Sequence, residues 1–443
     1  MEKFRLSIPA DQVHGLVSRY LPSHGLDIVV DLQRSQGTAL VDAKSGQTYL
    51  DFFSFFATNP LGFNHPHMTS TEVLEELGQA ALHKPSNSDS FTREMAQFLE
   101  TFVQVAKPDF MEHIFFIEGG ALGVENALKA AFDWKIRKNL ARGESQEKGF
   151  KVIHFQQAFH GRTGYTLSLT NTFDSRKIDY YPKFDWPRII NPKCVFPLEG
   201  ENLAQVKETE SQALKQIEEV IALDSAEIAC ILLEPIQAEG GDNHFRPEFH
   251  RELRRICDEN EILLIYDEVQ TGLGATGKMW AFEHYVQPDL LAFGKKSQVC
   301  GMMASKRIDE VPENVFSVPN RIDSTWSGSL VDMVRCKHYL QVFEKETLIE
   351  HSRRMGEVLL AELQGFEAEF PSVSNSRGRG LFCAFDLPDT DFRDRLKQKL
   401  FENHLIILPS GERSIRFRTA LNITQEALLK GTQIIREVLN EMG

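Results

Sequence analysis

Ile262-Leu-Leu-Ile-Tyr-Asp-Glu268 is the stretch from which the fold can be read. Five apolar or aromatic residues in a row, ending on two acids, describe a strand buried on both faces. Strands of that kind belong to parallel sheets covered by helices on either side. Working outward, Ile228–Leu233 and Leu290–Phe293 are runs of the same type, and 113–117 and Lys151–Phe155 add two more. Helical patterns fall between them at 121–140, 204–221 and 248–260. The alternation predicts an α/β fold with a large, mostly parallel sheet, whose ligand chemistry gathers in the loops past the carboxyl ends of the strands.

From about Gly328 the pattern changes. Two long helical stretches at 330–346 and 348–370 are followed by 380–387, a helix near 391–403, strands near 405–408 and 415–417, and a closing helix from Thr424. The expectation is a large α/β domain over 61–328 and a smaller α+β domain over 329–443, with residues 1–60 packing against the smaller one. Lys and Arg total 49 against 63 Asp and Glu, a net charge of −14. That balance disfavours nucleic acid and anionic membrane as partners, since both need concentrated positive charge. No stretch approaches the roughly 20 apolar residues that span a bilayer. Met1 to Tyr20 mixes charges throughout and has no apolar centre, so it reads as no secretory signal. The six cysteines are scattered, none closer than Cys230 and Cys257, which gives no zinc spacing and no metal site. Free thiols in a reducing compartment follow, and with them a cytoplasmic protein.

Several short stretches could carry chemistry, each with a plainer reading beside it. Asp267 ends the strand 262–266 where ligands bind, or it is a satisfied loop acid or helix cap. In Pro288-Asp-Leu-Leu-Ala-Phe-Gly-Lys-Lys296 another apolar strand runs into Lys295, either a nucleophilic amine in a dry site or a solvated strand end, with Lys296 as its rival. Phe115-Phe-Ile-Glu-Gly-Gly-Ala121 is a strand, two glycines and a helix start. There the glycines could let backbone N–H groups approach an anion at the helix start, or merely make a tight turn. Ala158-Phe-His-Gly-Arg-Thr-Gly164 offers Phe159 for stacking and Arg162 for a carboxylate, with His160 reading as structural. Glu234-Pro-Ile-Gln-Ala-Glu-Gly-Gly241 ends a further strand.

Together these describe the needs of pyridoxal 5'-phosphate. The helix start takes the phosphate, the aromatic stacks on the ring, the acid keeps the pyridine nitrogen protonated, and the lysine holds the aldehyde as an imine.

The chain resembles the class III (ornithine/ω-type) aminotransferases of the aspartate-aminotransferase fold, most of all the L-lysine 6-aminotransferases, over nearly its whole length. Phe159-His-Gly-Arg162, Glu234-Pro-Ile-Gln237, Asp267-Glu-Val-Gln-Thr-Gly272 and Pro288-Asp…Phe293-Gly-Lys295 carry the general resemblance. Gly294-Lys-Lys-Ser-Gln-Val-Cys-Gly301 and Phe184-Asp-Trp-Pro187 carry the likeness to the lysine enzymes.

The resemblance implies that Lys295 binds the cofactor's aldehyde and moves the proton, that Asp267 pairs with the pyridinium, and that Phe159 stacks on the ring. It also implies that Gln270 lies against the ring oxygen and that Gly120 and Ala121 hold the phosphate. Thr325 reaches the phosphate in the neighbouring subunit of a homodimer with shared sites. Arg162 holds the substrate α-carboxylate and Arg416 the far carboxylate of 2-oxoglutarate, while Glu239 neutralises Arg416 when a cationic donor is bound. The implied reaction moves the ε-amino group of L-lysine to 2-oxoglutarate, giving L-glutamate and 2-aminoadipate 6-semialdehyde, which cyclises to a piperideine carboxylate. Ornithine, acetylornithine or 4-aminobutyrate as donor, a racemase or mutase, and a non-catalytic cofactor-binding protein are the other readings. Thr419-Ala420 stand where the class usually carries Pro-Pro, Asp323 where lysine enzymes tend to carry Asn, and Ala238 where Gly is usual; these bear on the donor.

Overall fold

The computed structural model describes residues 7–22 and 25–443, so the first six residues of the segment read as no secretory signal lie outside it. A helix at Ala10–Tyr20 opens the described chain, and two short strands, β1 (Ala39–Val41) and β2 (Thr48–Asp51), follow it. The next are β3 (Met111–Ile117), β4 (Lys151–Phe155), β5 (Arg188–Ile189), β6 (Ile228–Leu233), β7 (Leu263–Asp267), β8 (Leu290–Phe293) and β9 (Cys300–Ser305). They form one seven-stranded sheet in the order β3-β9-β8-β7-β6-β4-β5. Neighbours from β8 through β5 pair in parallel, and β9 runs antiparallel between β3 and β8.

The apolar runs of β6, β7 and β8 are continuous because both of their faces are covered. In β7, Leu264 and Tyr266 enter one core cluster while Leu263 and Ile265 enter another. In β8, Leu291 and Phe293 divide from Leu290 and Ala292 in the same way. Helix Gly120–Ala141 covers one face with Val124, Leu128 and Trp134, and helix Pro247–Glu259 covers the other with Phe249, Leu253 and Ile256. Two-sided cover of a mostly parallel sheet is what the alternating sequence pattern predicts.

Several elements differ from that reading: β3 starts two residues earlier, and β5 and β9 are strands it does not predict. β7 starts and ends one residue later than expected, so Asp267 is the last strand residue and pairs with Ala292 of β8. β9, Cys-Gly-Met-Met-Ala-Ser, has no β-branched residue, and it is a strand because β3 and β8 present it with two open edges.

In the C-terminal part, β10 (Ser374–Arg379), β11 (Phe382–Asp386), β13 (Leu408–Ser410) and β14 (Ser414–Arg416) make a four-stranded sheet in the order β10-β11-β14-β13. The intervening β12 (Leu405–Ile406) leaves it to pair in parallel with β2, aligning Leu405 with Leu50, and so joins the two ends of the chain. Helices Leu348–Glu369 and Thr390–Glu402 pack beside these strands, and Gln425–Met442 packs against those two helices. All six cysteines are buried and free. Among the described residues no helix is long and apolar enough to cross a membrane.

Candidate active site

The two acids at the end of β7 part company. Glu268 turns away and accepts from the N–H of Ala281 at 2.6 Å and of Phe282 at 2.8 Å, with the Thr271 hydroxyl at 3.1 Å. It is the satisfied loop acid, and burial pushes its carboxyl up to about 7. Asp267 turns into a cavity. Its Oδ2 lies 2.9 Å from Nδ1 of His160, and its Oδ1 accepts from the N–H of Val269 at 3.1 Å. His160, read from the sequence as structural, is therefore the partner of the strand-end acid. Its Nε2 is buried without a hydrogen-bond partner. Glu234, at the end of β6, accepts from the N–H of Phe159 and of Ala238, both at 2.9 Å. One carboxylate thus ties the Phe159 loop to the Glu239 loop.

The cavity encloses about 630 Å³. Gly120, Ala121, Phe159, Arg162, Asp267, Gln270 and Lys295 all line it. Helix Gly120–Ala141 opens onto it from Gly119, whose φ of +101° suits glycine, and no side chain caps that end. Uncapped N–H groups at the positive end of a helix form an anion site.

Lys295 and Lys296 also divide. Lys295 lines the cavity and holds a left-handed φ of +53°, a conformation that costs a non-glycine residue about 1–2 kcal/mol. Burial pushes its amine down to about 8, with Arg416 and Arg418 adding to the fall and Asp267 opposing it. Lys296 is buried among protein groups, with its Nζ 3.4 Å from the carbonyl of Gln270, and burial takes it to about 7. Gln298 fastens this turn: its Nε2 donates to the carbonyls of Thr58 at 2.5 Å and Lys295 at 3.1 Å.

Of the residues expected to meet substrate, Arg162 is exposed at the rim, its Nε donating to the carbonyl of Lys177 at 3.1 Å. Gln270 lines the cavity, and its Oε1 is 3.4 Å from Nε of Arg418. Arg416, on β14, is buried, and its Nε and Nη1 have no hydrogen-bond partner among the described residues. Burial lowers it to about 10, Arg418 pushes the same way, and Asp242, Glu239 and Glu234 oppose. Glu239 is paired with Lys177 at 2.6 Å and with the Thr172 hydroxyl at 2.8 Å, and its Oε2 is buried without a partner. Thr325 is exposed and does not line the cavity of its own chain.

Thr58, Gln298, Cys300 and Asp332 line the cavity as well; Gln298 and Cys300 fall in the Gly294–Gly301 segment that resembles the lysine enzymes, without a role of their own there, and Thr58 and Asp332 carry no signal in the local sequence. The Phe184–Pro187 segment lies elsewhere. Phe184 and Trp186 stack at 4.9 Å beside a separate cleft that includes Lys151, Lys183 and Arg188. Asp323 accepts from the N–H of Ser324 at 2.7 Å on an exposed turn, and Ala238 is fully buried beside Ile236 and Phe382.

The profile of the family described as Aminotransferase class-III matches residues 20–439. The L-lysine-epsilon aminotransferase of Mycobacterium tuberculosis is 49% identical over 432 residues, which cover 97% of this chain and 95% of that one. The protein of the same name from Streptomyces clavuligerus is 45% identical, over 97% of this chain and 94% of its own. A solved lysine aminotransferase from M. tuberculosis in the internal aldimine form superposes with a TM-score of 0.96, at 48% identity and over 98% of this chain and 100% of that one. This chain belongs to the class-III aminotransferases.

Proposed function

We propose that the protein transfers the ε-amino group of L-lysine to 2-oxoglutarate with pyridoxal 5'-phosphate as cofactor, giving L-glutamate and 2-aminoadipate 6-semialdehyde. The observation that carries this reading is one cavity holding Lys295, the Asp267–His160 pair and the uncapped Gly119–Gly120 helix start, with Arg416 outside its lining but close enough to depress the Lys295 amine. The names of the relatives at 45–49% identity supply the donor.

The donor set fits that cofactor. An uncapped helix start suits a phosphate, Phe159 offers a ring face, Asp267 offers a carboxylate to a protonated nitrogen, and Lys295 offers an amine. When bound, the cofactor supplies an electron sink that lets a proton leave the carbon bearing the amine.

Lys295 Nζ takes that proton from the ε-carbon of lysine and returns one on the cofactor side, base and acid in turn. An amine lowered to about 8 is matched to both tasks near neutral pH. Asp267, oriented by His160, presents its side chain at the foot of the cavity. Arg162 at the rim grips the α-carboxylate and presents the side-chain amine inward. Arg416 answers the far carboxylate of 2-oxoglutarate, and Glu239 answers Arg416 when lysine occupies the same space.

The division of the chain into 61–328 and 329–443, with 1–60 against the latter, belongs to the same reading. So do a cytoplasmic location and a homodimer in which Thr325 serves the neighbouring site.

Adding L-lysine alone to the cofactor-loaded protein tests the proposal. The cofactor's visible band should bleach and 2-oxoglutarate should restore it. A band unmoved by lysine but bleached by ornithine or 4-aminobutyrate would replace the donor. A protein that forms no band would remove the assignment of Lys295.

A further inference from the structure

We propose that Lys177 is a positioning residue that holds Glu239 off Arg416, so that the pocket rests in the state that accepts a dicarboxylate. The inference deepens the reading above and rests on it.

Lys177 ends the short turn Ser175–Lys177, contacts two residues assigned to substrate and lies over the ring assigned to the cofactor. Its Nζ is 2.6 Å from Oε1 of Glu239 and 5.9 Å from the centroid of the Phe159 ring, and its carbonyl accepts from Nε of Arg162 at 3.1 Å. Thr172 donates to the same Glu239 oxygen at 2.8 Å.

The backbone of Glu239 has no freedom to follow a ligand. Its carbonyl accepts from the N–H of Gly411 at 2.7 Å, and a Cβ on the next residue, Gly240, would lie 2.0 Å from the carbonyl oxygen of Gln157. Only the side chain can change partner, and its Oε2 is buried without one. Arg416 is the other candidate for that carboxylate: it is buried, its Nε and Nη1 are unpartnered, and it feels the charge of Glu239.

The carboxylate therefore stands between two cations and is held by the weaker one. Lys177 keeps 35% of its side chain in solvent and offers a point charge, whereas a guanidinium offers a fork that matches a carboxylate. A partner of that kind holds Glu239 at rest and releases it when Arg416 needs neutralising. Without Lys177, Glu239 falls to Arg416, and a dicarboxylate must break that pair before it can bind.

The test uses cofactor-loaded wild type, Lys177→Met, Lys177→Arg, Glu239→Gln and the double variant Lys177→Met/Glu239→Gln. Glutarate, an unreactive dicarboxylate, is titrated by calorimetry, and each half-reaction is followed in a single turnover. Lys177→Met should weaken glutarate about tenfold, the worth of one charge-assisted hydrogen bond, and should slow capture of 2-oxoglutarate by the same factor relative to capture of lysine. Lys177→Arg should restore the balance. In the Glu239→Gln background Lys177→Met should change glutarate affinity by less than about twofold, because the residue it restrains is gone.

Equal losses in both half-reactions would overturn the inference by reducing Lys177 to a structural part. A tenfold loss persisting in the Glu239→Gln background would overturn it by putting Lys177 on the ligand itself. Wild-type protein that binds no glutarate would overturn the underlying reading, a result read without any Lys177 variant.

Discussion

Raising the pH while the cofactor-free protein captures pyridoxal 5'-phosphate interrogates Lys295 directly. Burial, reinforced by Arg416 and Arg418, lowers its amine from 10.5 to about 8. At pH 7.5 such an amine is about one-quarter neutral, against about one-thousandth for an ordinary lysine, a gain of about 200-fold in the form that attacks an aldehyde. Stopped-flow absorbance of the visible band gives the capture rate at each pH. The rate should climb about tenfold per pH unit below 8 and level off above it. A rate still climbing tenfold per unit at about pH 9.5 would refute the reasoning, since it would mean an ordinary lysine. Arg416→Met removes one of the charges that depress the amine and should move the inflection upward. Lys296, lowered to about 7, is the competing titration. Lys295→Ala should abolish the band and the turnover, while Lys296→Met should leave the inflection near 8; the reverse pattern would shift the assignment by one residue. The sign in stability follows from the same shift. The unfolded lysine keeps its proton up to 10.5 and the folded one only to about 8, so this group's penalty is complete below pH 8 and is relieved as pH rises towards 10.5.

Three further outcomes are expected. Gly161→Ala places a Cβ 2.4 Å from that of Ala121, at a φ of +121°, and should cost about 2–5 kcal/mol in urea unfolding and weaken cofactor binding. Gly164→Ala, whose Cβ would meet nothing nearer than 3.8 Å, should stay within about 0.5 kcal/mol; equal effects of the two would contradict the packing. His160→Phe removes the 2.9 Å partner of Asp267 and should weaken the cofactor about tenfold by equilibrium dialysis. Glu239→Ala should damage the lysine half-reaction more than the 2-oxoglutarate half-reaction in single turnovers, and equal damage would count against an exchanging pair.

What could be read from the sequence follows from how each residue is held. Asp267 and Lys295 sit at the ends of β7 and β8, where a local rule, an apolar run meeting a charge, already points at the ligand face. The Gly119–Gly120 helix start is legible for the same reason, as a strand-to-helix turn. His160 is not, because its role depends on Asp267, 107 residues along the chain. Lys177 depends in the same way on Glu239, 62 residues on, and nothing in Asp-Ser-Arg-Lys marks it from solvated surface. β9 shows the same division in the fold: two neighbouring edges make it a strand, and its own residues do not.

On the proposed function, Arg416 and Arg418 contrast a structural cation with one kept for a ligand. They stand two residues apart, both almost wholly inaccessible, on or just past β14. Arg418 is answered inside the protein: Asp242 takes its two terminal nitrogens at 2.8 and 2.7 Å, and its guanidinium lies 3.7 Å from the centroid of the Phe382 ring. Arg416 has no such partner for Nε and Nη1, although a buried charge left unpaired costs several kcal/mol. Folding gives no reason to keep that cation, since an apolar side chain of similar volume would be neutral or stabilising in its place. An anionic substrate does give a reason. The same argument explains Glu239, which could have been paired once and for all with Arg416 and is tied instead to a half-exposed lysine. On the proposed function, a permanent Glu239–Arg416 pair would close the pocket to a dicarboxylate, so an exchangeable pairing is the one a two-substrate site requires.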